Sequence, residues 1–210
     1  ITNYNHKISK QFVSYLKFKN INFDYIDSSK KKKIQISKNY DYLISFLNSV
    51  YIQEKIRKKI KKSSINFHPG PPEYPGFGCY NFALLNNSSF YGSTVHIMNN
   101  RFDNGKILNV SKFKLPYKNI SLERLIIMTH NCLMRQAKIF IKDILKGKLN
   151  YDLKLQWKRK AFTKKEFEIA RKIRLDDSKK VILNKIRAFK YKNYDSVYIN
   201  FKGFKFEYKK

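Results

Sequence analysis

INFHPGPPEYPGFG, residues 65–78, reads as the end of a strand running into a segment that can be neither helix nor central strand. Four of the residues from Pro69 to Gly78 are proline and three are glycine, so the predicted loop is rigid and extended. Strand side chains alternate with period two, which puts Asn66 and His68 on the same side at the strand exit. Upstream, the apolar run YLISFL (Tyr42–Leu47) has the character of a buried parallel strand, and Ile52–Lys62 is predicted helical. Before these, Asn5–Lys19 places Ile8, Phe12, Val13, Tyr15 and Leu16 on one helical face, and Ile21–Ile26 is rich in strand formers.

Downstream, Tyr80–Asn86 is predicted as a helix. Ser93–Met98 and Lys106–Phe113 are predicted strands flanking the turn Asn99–Gly105. Ser121–Lys146 is the longest predicted helix, capped by Ser121 and closed at Gly147. Strands alternating with helices give an α/β fold with a mostly parallel sheet. An α/β domain that opens on a helix implies a further N-terminal strand, missing from this chain. From Tyr151 the character changes: Thr163–Glu166 is a capping box, Ser178 caps a helix to Ala188, and Val197–Phe201 with Phe204–Tyr208 form a hairpin. The expected division is 1–150 for the main domain and 151–210 for a small helical and hairpin appendage.

Composition narrows the function classes without choosing one. The 45 Lys+Arg against 15 Asp+Glu give a formal net charge of +30. Such a charge suits a polyanionic partner. The accompanying abundance of Lys, Ile, Asn, Tyr and Phe fits codon drift in a genome poor in G and C better. The basic residues are scattered, with one tight run at Lys30–Lys33 and others at Lys58, Lys59, Lys61 and Lys62. The two cysteines, Cys79 and Cys132, fit neither a disulfide framework nor a metal site, and point to a reducing cytoplasmic setting. Cys79 is expected to be a buried, inert thiol. No apolar stretch is long enough for a membrane span, and no signal peptide is visible.

The chemistry-bearing types converge around residues 64–108. An amide (Asn66) and an imidazole (His68) can hydrogen-bond to a carbonyl oxygen that gains negative charge. A carboxylate (Asp103) can tune the imidazole or take a proton from an attacking amine through water. No nucleophilic Ser or Cys is needed for such an acyl transfer. On residue types alone, an isolated Asn-x-His pair is more often a satisfied hydrogen-bonding cluster than a site.

Ile65–Gly78 followed by STVHIMNNRFDNGKIL (Ser93–Leu108) resembles the folate-dependent formyltransferase family. That family includes the methionyl-tRNA, glycinamide ribonucleotide and sugar N-formyltransferases. The shared pieces are Asn-x-His-Pro, a Pro/Gly loop with Tyr-Pro-Gly, Thr-Val-His and Asp-x-Gly-x-Ile, in order and at fitting spacing, clear over 40–110 and loose over 111–150. The resemblance implies a Rossmann-like formyltransferase fold, with Asn66, His68 and Asp103 as catalytic triad and 10-formyltetrahydrofolate as formyl donor, without a metal. It implies cofactor contacts at Leu47, Asn48, Ser49, Val50 and Tyr51, and at Met98, Asn99, Arg101 and Phe102. His96, in the Thr-Val-His element, and Trp157, in the tail, are expected to be structural.

The loop wording PGPPEYPGFGCYNFAL is similar to the sugar and other small-molecule members. The implied acceptor is the amine of a nucleotide-linked amino sugar, and such enzymes are often homodimers. The charge keeps methionyl-tRNA as the alternative acceptor, although the residues after 150 are too few for the usual tRNA-binding barrel. A non-catalytic basic binding module on the same fold is the reading from a different class.

Overall fold

The computed structural model describes residues 1–116, 119–148, 154–192 and 196–209. Strand β1 (Tyr40–Phe46) pairs in parallel with β2 (Ile60–His68). Strand β3 (Phe90–Ile97) returns antiparallel to β2, and β4 (Ile107–Lys114) antiparallel to β3. The sheet order is β1-β2-β3-β4. The α/β class holds, but the described main sheet is mixed: one parallel pair and two antiparallel pairs, where a mostly parallel sheet was expected. The turn between β3 and β4 is too short for a parallel crossover, which needs about a dozen residues.

Helices α1 (Lys7–Phe18) and α4 (Leu122–Leu145) cover one face. Their apolar stripes meet the odd-numbered Ile65, Phe67 and Val95 around the stacked rings of Phe12 and Phe46, 4.4 Å apart. The even-numbered Asn66 and His68 therefore point to the opposite face. Burying polar groups between α4 and the sheet requires partners. Ser93 Oγ donates to Gln136 Oε1 at 2.7 Å, and Gln136 Nε2 donates to Asn109 Oδ1 at 2.7 Å. Ser121 Oγ accepts from the Arg124 N–H as the expected N-cap of α4. Among the described residues, no helix is long and apolar enough to cross a membrane.

Two elements differ from expectation. The helix predicted over Ile52–Lys62 shrinks to the single turn α2 (Glu54–Arg57). Ile52, Ile56 and Ile60 have helical spacing, but Ile60 is taken by the ladder, opposite Tyr40. Tertiary pairing overrides the local pattern, and Lys61 and Lys62 lie on β2 rather than on a helix. The segment Ile21–Ile26 is no strand either. Thr2 bridges Asp27 on one side and Phe46 on the other, so residues 1–3 occupy the place beside β1. Ile26 carbonyl accepts from Thr2 N–H at 3.0 Å.

Helix α3 (Cys79–Leu85) follows the Pro/Gly loop. The remaining elements are α5 (Lys164–Arg171), β5 (Lys172–Ile173), α6 (Lys179–Phe189), β6 (Tyr198–Phe201) and β7 (Phe204–Glu207). Thr163 and Glu166 form the reciprocal capping box at α5, and Ser178 caps α6. Lys202 and Gly203 turn the hairpin with φ of 46° and 83°, the left-handed pair that matches strand twist. A second core joins Tyr74, Phe82, Leu84 and Leu125 to Phe162, Phe189 and Val197, so the C-terminal elements pack on α3 and α4. The expected division at 150–151 lies outside the described residues.

Candidate active site

The Pro/Gly loop fixes the wall of the site by close approach. A Cβ on Gly70 would stand 2.5 Å from His68 Nε2 and 2.9 Å from the Tyr74 carbonyl, so only glycine lets these two meet. They meet at 3.0 Å. On its other nitrogen, His68 Nδ1 lies 3.1 Å from Asp103 Oδ2. Asp103 arrives from the β3–β4 turn with φ 40°, a conformation that costs energy outside glycine. Four groups hold it there. Gly76 N–H donates to Oδ2 at 2.8 Å, and Asn66 Nδ2 to Oδ1 at 3.3 Å; His68 is the third, and His96 Nε2 approaches Oδ1 at 3.2 Å. Asn66 Nδ2 also lies 3.1 Å from His96 Nε2. Asn66, His68 and Asp103 are thus brought together as the sequence predicts.

Both His68 nitrogens face acceptors, a carbonyl and a carboxylate, so the ring bonds fully only as imidazolium. Burial alone would lower its pKa. The Asp103 charge and hydrogen bond outweigh that, and the His68 pKa stands above its ordinary value. Burial likewise pushes the Asp103 carboxyl upward, but His68 and then His96 overcome it and hold the group well below the usual carboxylate range. The result is a nearly dry, ionised pair. Cys79 behaves as expected: burial pushes its thiol up to about 12, leaving no thiolate.

Two residues expected to be structural lie in this cluster. His96 is hydrogen-bonded to it through Nε2, while its Nδ1 faces the Ile97 carbonyl at 2.9 Å. Trp157 packs roughly perpendicular to His96 and His68, with ring centroids 5.1 Å and 5.8 Å away. Its Nε1–H donates to the Gly105 carbonyl at 2.8 Å. The place of Trp157 in this cluster could not be read from local pattern, since no periodicity links position 157 to position 105. Its being the one tryptophan, amid basic residues, is the sole trace in the sequence.

The two segments expected to hold a cofactor also converge. The rings of Tyr51 and Phe102 meet at 5.2 Å, and both are exposed. The Arg57 guanidinium donates to the Asn99 carbonyl and to Asn100 Oδ1. Leu47 turns out of β1 with φ 48°. Asn48 closes its own turn on Val50, and Ser49 Oγ accepts from Asn3 Nδ2. Met98 packs towards Ile52 and Ile56, Asn99 Oδ1 accepts from Arg101 N–H, and Arg101 is exposed. Among the described residues, no group of three or more His, Cys, Asp or Glu side chains is arranged to hold a metal ion.

Residues 36–130 match the family model described as formyl transferase, a span that contains Asn66, His68, His96 and Asp103. Over that span, the chain is similar to the formyl transferase family. GDP-perosamine N-formyltransferase of Brucella melitensis is 31% identical to this chain over 98 residues, covering 45% of this chain and 38% of that protein. The match thus spans well under half the length of this curated relative. A sugar N-formyltransferase structure from Shewanella sp. superposes with a TM-score of 0.78 at 20% identity, over 97% of this chain and 93% of that one. An N-formyltransferase from Helicobacter canadensis, solved with folinic acid and dTDP-3-aminofucose, gives 0.58 at 21% identity, over 91% and 67%. These structures establish the formyltransferase fold of the chain, including the C-terminal elements beyond residue 130.

Proposed function

We propose that this protein transfers a formyl group from 10-formyltetrahydrofolate to the amino group of a nucleotide-linked amino sugar, with Asn66, His68 and Asp103 as its catalytic residues. The observation that carries the reading is the buried ion pair of His68 and Asp103 bonded to the Asn66 amide, inside the span that matches the family. The acceptor class is supported by the GDP-perosamine relative and by the dTDP-aminosugar named for the Helicobacter canadensis structure. Leu47–Tyr51 and Met98, Asn99, Arg101 and Phe102 would hold the folate, whose flat rings suit the adjacent, exposed rings of Tyr51 and Phe102.

The folate supplies the formyl carbon; the chain's own groups do the rest. The Asn66 amide exchanges His96 for the formyl oxygen and, with the His68 imidazolium, stabilises the negative charge that builds there. The ionised Asp103 receives the proton of the attacking amine through water. One C–N bond forms to the acceptor as the old one breaks, and the amine's proton ends on the departing folate nitrogen. Closure by buried side chains keeps the charges unscreened.

The test is release of tetrahydrofolate from 10-formyltetrahydrofolate, with a panel of nucleotide-linked amino sugars beside methionyl-tRNA at low and moderate salt. Release with one amino sugar is expected. Release with the tRNA alone, falling steeply as salt rises, would make the +30 charge functional and replace the acceptor. Absence of folate binding would favour a non-catalytic binding module.

A further inference from the structure

We infer that Trp157 is a positioning residue of this site, a roof supplied by the C-terminal segment that keeps the two imidazoles and the Asp103 turn in register. The inference rests on the formyl-transfer reading for its kinetic consequence, though not for its geometry. Trp157 is half-buried, and its ring packs at a steep angle to both His68 and His96. Its indole N–H spends its one donor on the Gly105 carbonyl, two residues beyond Asp103. That carbonyl belongs to a backbone already pressed against its neighbours: a Cβ on Gly105 would lie 1.6 Å from the Ile97 carbonyl oxygen. The turn that aims Asp103 is therefore pinned at three places, by Gly76 N–H on the carboxylate, by the imidazoles, and by Trp157 behind it.

Trp157 also comes from outside the span that the family model matches. Its neighbours tie the segment to the Pro/Gly loop: Lys158 N–H donates to the Pro72 carbonyl at 3.0 Å, and Phe162 N–H to the Pro75 carbonyl at 2.8 Å. The roof and the wall of the site thus move as one piece. Loss of the indole removes the bond to Gly105 and admits water to the edges of both imidazoles.

A second property makes this testable without any substrate. Trp157 is the one tryptophan of the chain, so indole emission reports this site alone. A protonated imidazole quenches a neighbouring indole more strongly than a neutral one. The titratable groups facing it are His68, His96 and Asp103, with Cys79 next behind Gly70.

The experiment has two arms on the full chain. In the first, Trp157 emission of the folded protein is followed as pH rises from 6 to 10; a step up is expected, and His68→Asn should abolish it. In the second, Trp157→Phe and Trp157→Ala are assayed for turnover: kcat should fall about 10-fold and about 100-fold, with the KM of the formyl donor little changed, as for a misplacement of about 1 Å. The phenylalanine variant, which restores the roof without the bond to Gly105, separates packing from the hydrogen bond. Emission that is flat with pH, or a phenylalanine variant with unchanged kcat, would overturn the inference. If the wild-type protein transfers no formyl group, the emission step still decides the placement of Trp157, and the formyl-transfer reading fails separately.

Discussion

Asp103→Asn tests the ion pair most directly, because it removes one charge from the site and almost no volume. The carboxylate pairs with His68 at 3.1 Å, its side chain is 11% exposed and that of His68 is 4% exposed. Removing one partner of a buried pair costs about 3–5 kcal/mol. The lower end applies here, since His68 can shed its proton once Asp103 no longer holds it. A loss of about 3 kcal/mol in a chain of this length lowers Tm by about 6–12 °C. Turnover should fall by about 10²–10⁴, the usual contribution of a positioned proton acceptor.

The pH dependence of the Tm gap is the sharper readout. Asp103 is depressed in the fold, so its stabilisation is present above the unfolded value of about 3.9 and is lost as pH falls through the folded value. His68 is raised, so its share is fully present below about 6.5 and is lost as pH rises through the folded value. Melting both proteins across pH should therefore show the widest gap between about pH 4 and 6.5, narrowing at either end. A gap that is absent, or constant across the whole range, would refute the ion pair as described. Near-normal turnover would remove Asp103 from the chemistry.

Gly105→Ala should leave little folded protein, because the new methyl meets backbone that cannot yield; recovery of soluble, cooperatively melting material at wild-type Tm would contradict the close approach. Gln136→Leu keeps the volume but takes its acceptor from the buried Ser93 hydroxyl, leaving it only Cys132 Sγ at 3.6 Å, and should cost about 1–3 kcal/mol in urea unfolding. His130 is held down to about 4 by burial and then by His6, so stability should drop as pH falls from about 6.5, where the unfolded chain takes up the proton first. In His130→Phe this part of the acid-side decline should disappear from the Tm–pH curve.

What was legible in the sequence was what local physics controls. The alternation through Ile65–His68 correctly placed Asn66 and His68 on one face, and Ser121, the Thr163–Glu166 box and Lys202–Gly203 marked their caps and turn without help from tertiary structure. The convergence of Asp103 with that pair was legible through the family resemblance, since only the assembled sheet brings the β3–β4 turn beside β2. The misses share a cause. Ile60 has a helical spacing partner at Ile56, yet pairs with Tyr40; Ile21–Ile26 has strand formers, yet Thr2 takes the place next to β1. His96 and Trp157 gained their surroundings from residues far away in the chain, and no local period records such a meeting.

The bridge between Gly76 and Phe162 ties the Pro/Gly wall to a segment made much later during synthesis. Closing so long a loop is entropically slow compared with forming α1 or the β3–β4 hairpin. A nascent chain can thus own Asn66, His68 and Asp103 for some time before it owns a finished site. Completion of this side-chain cluster is in this sense a late event, set by when Trp157 and Phe162 emerge and dock rather than by when Asn66, His68 and Asp103 are translated.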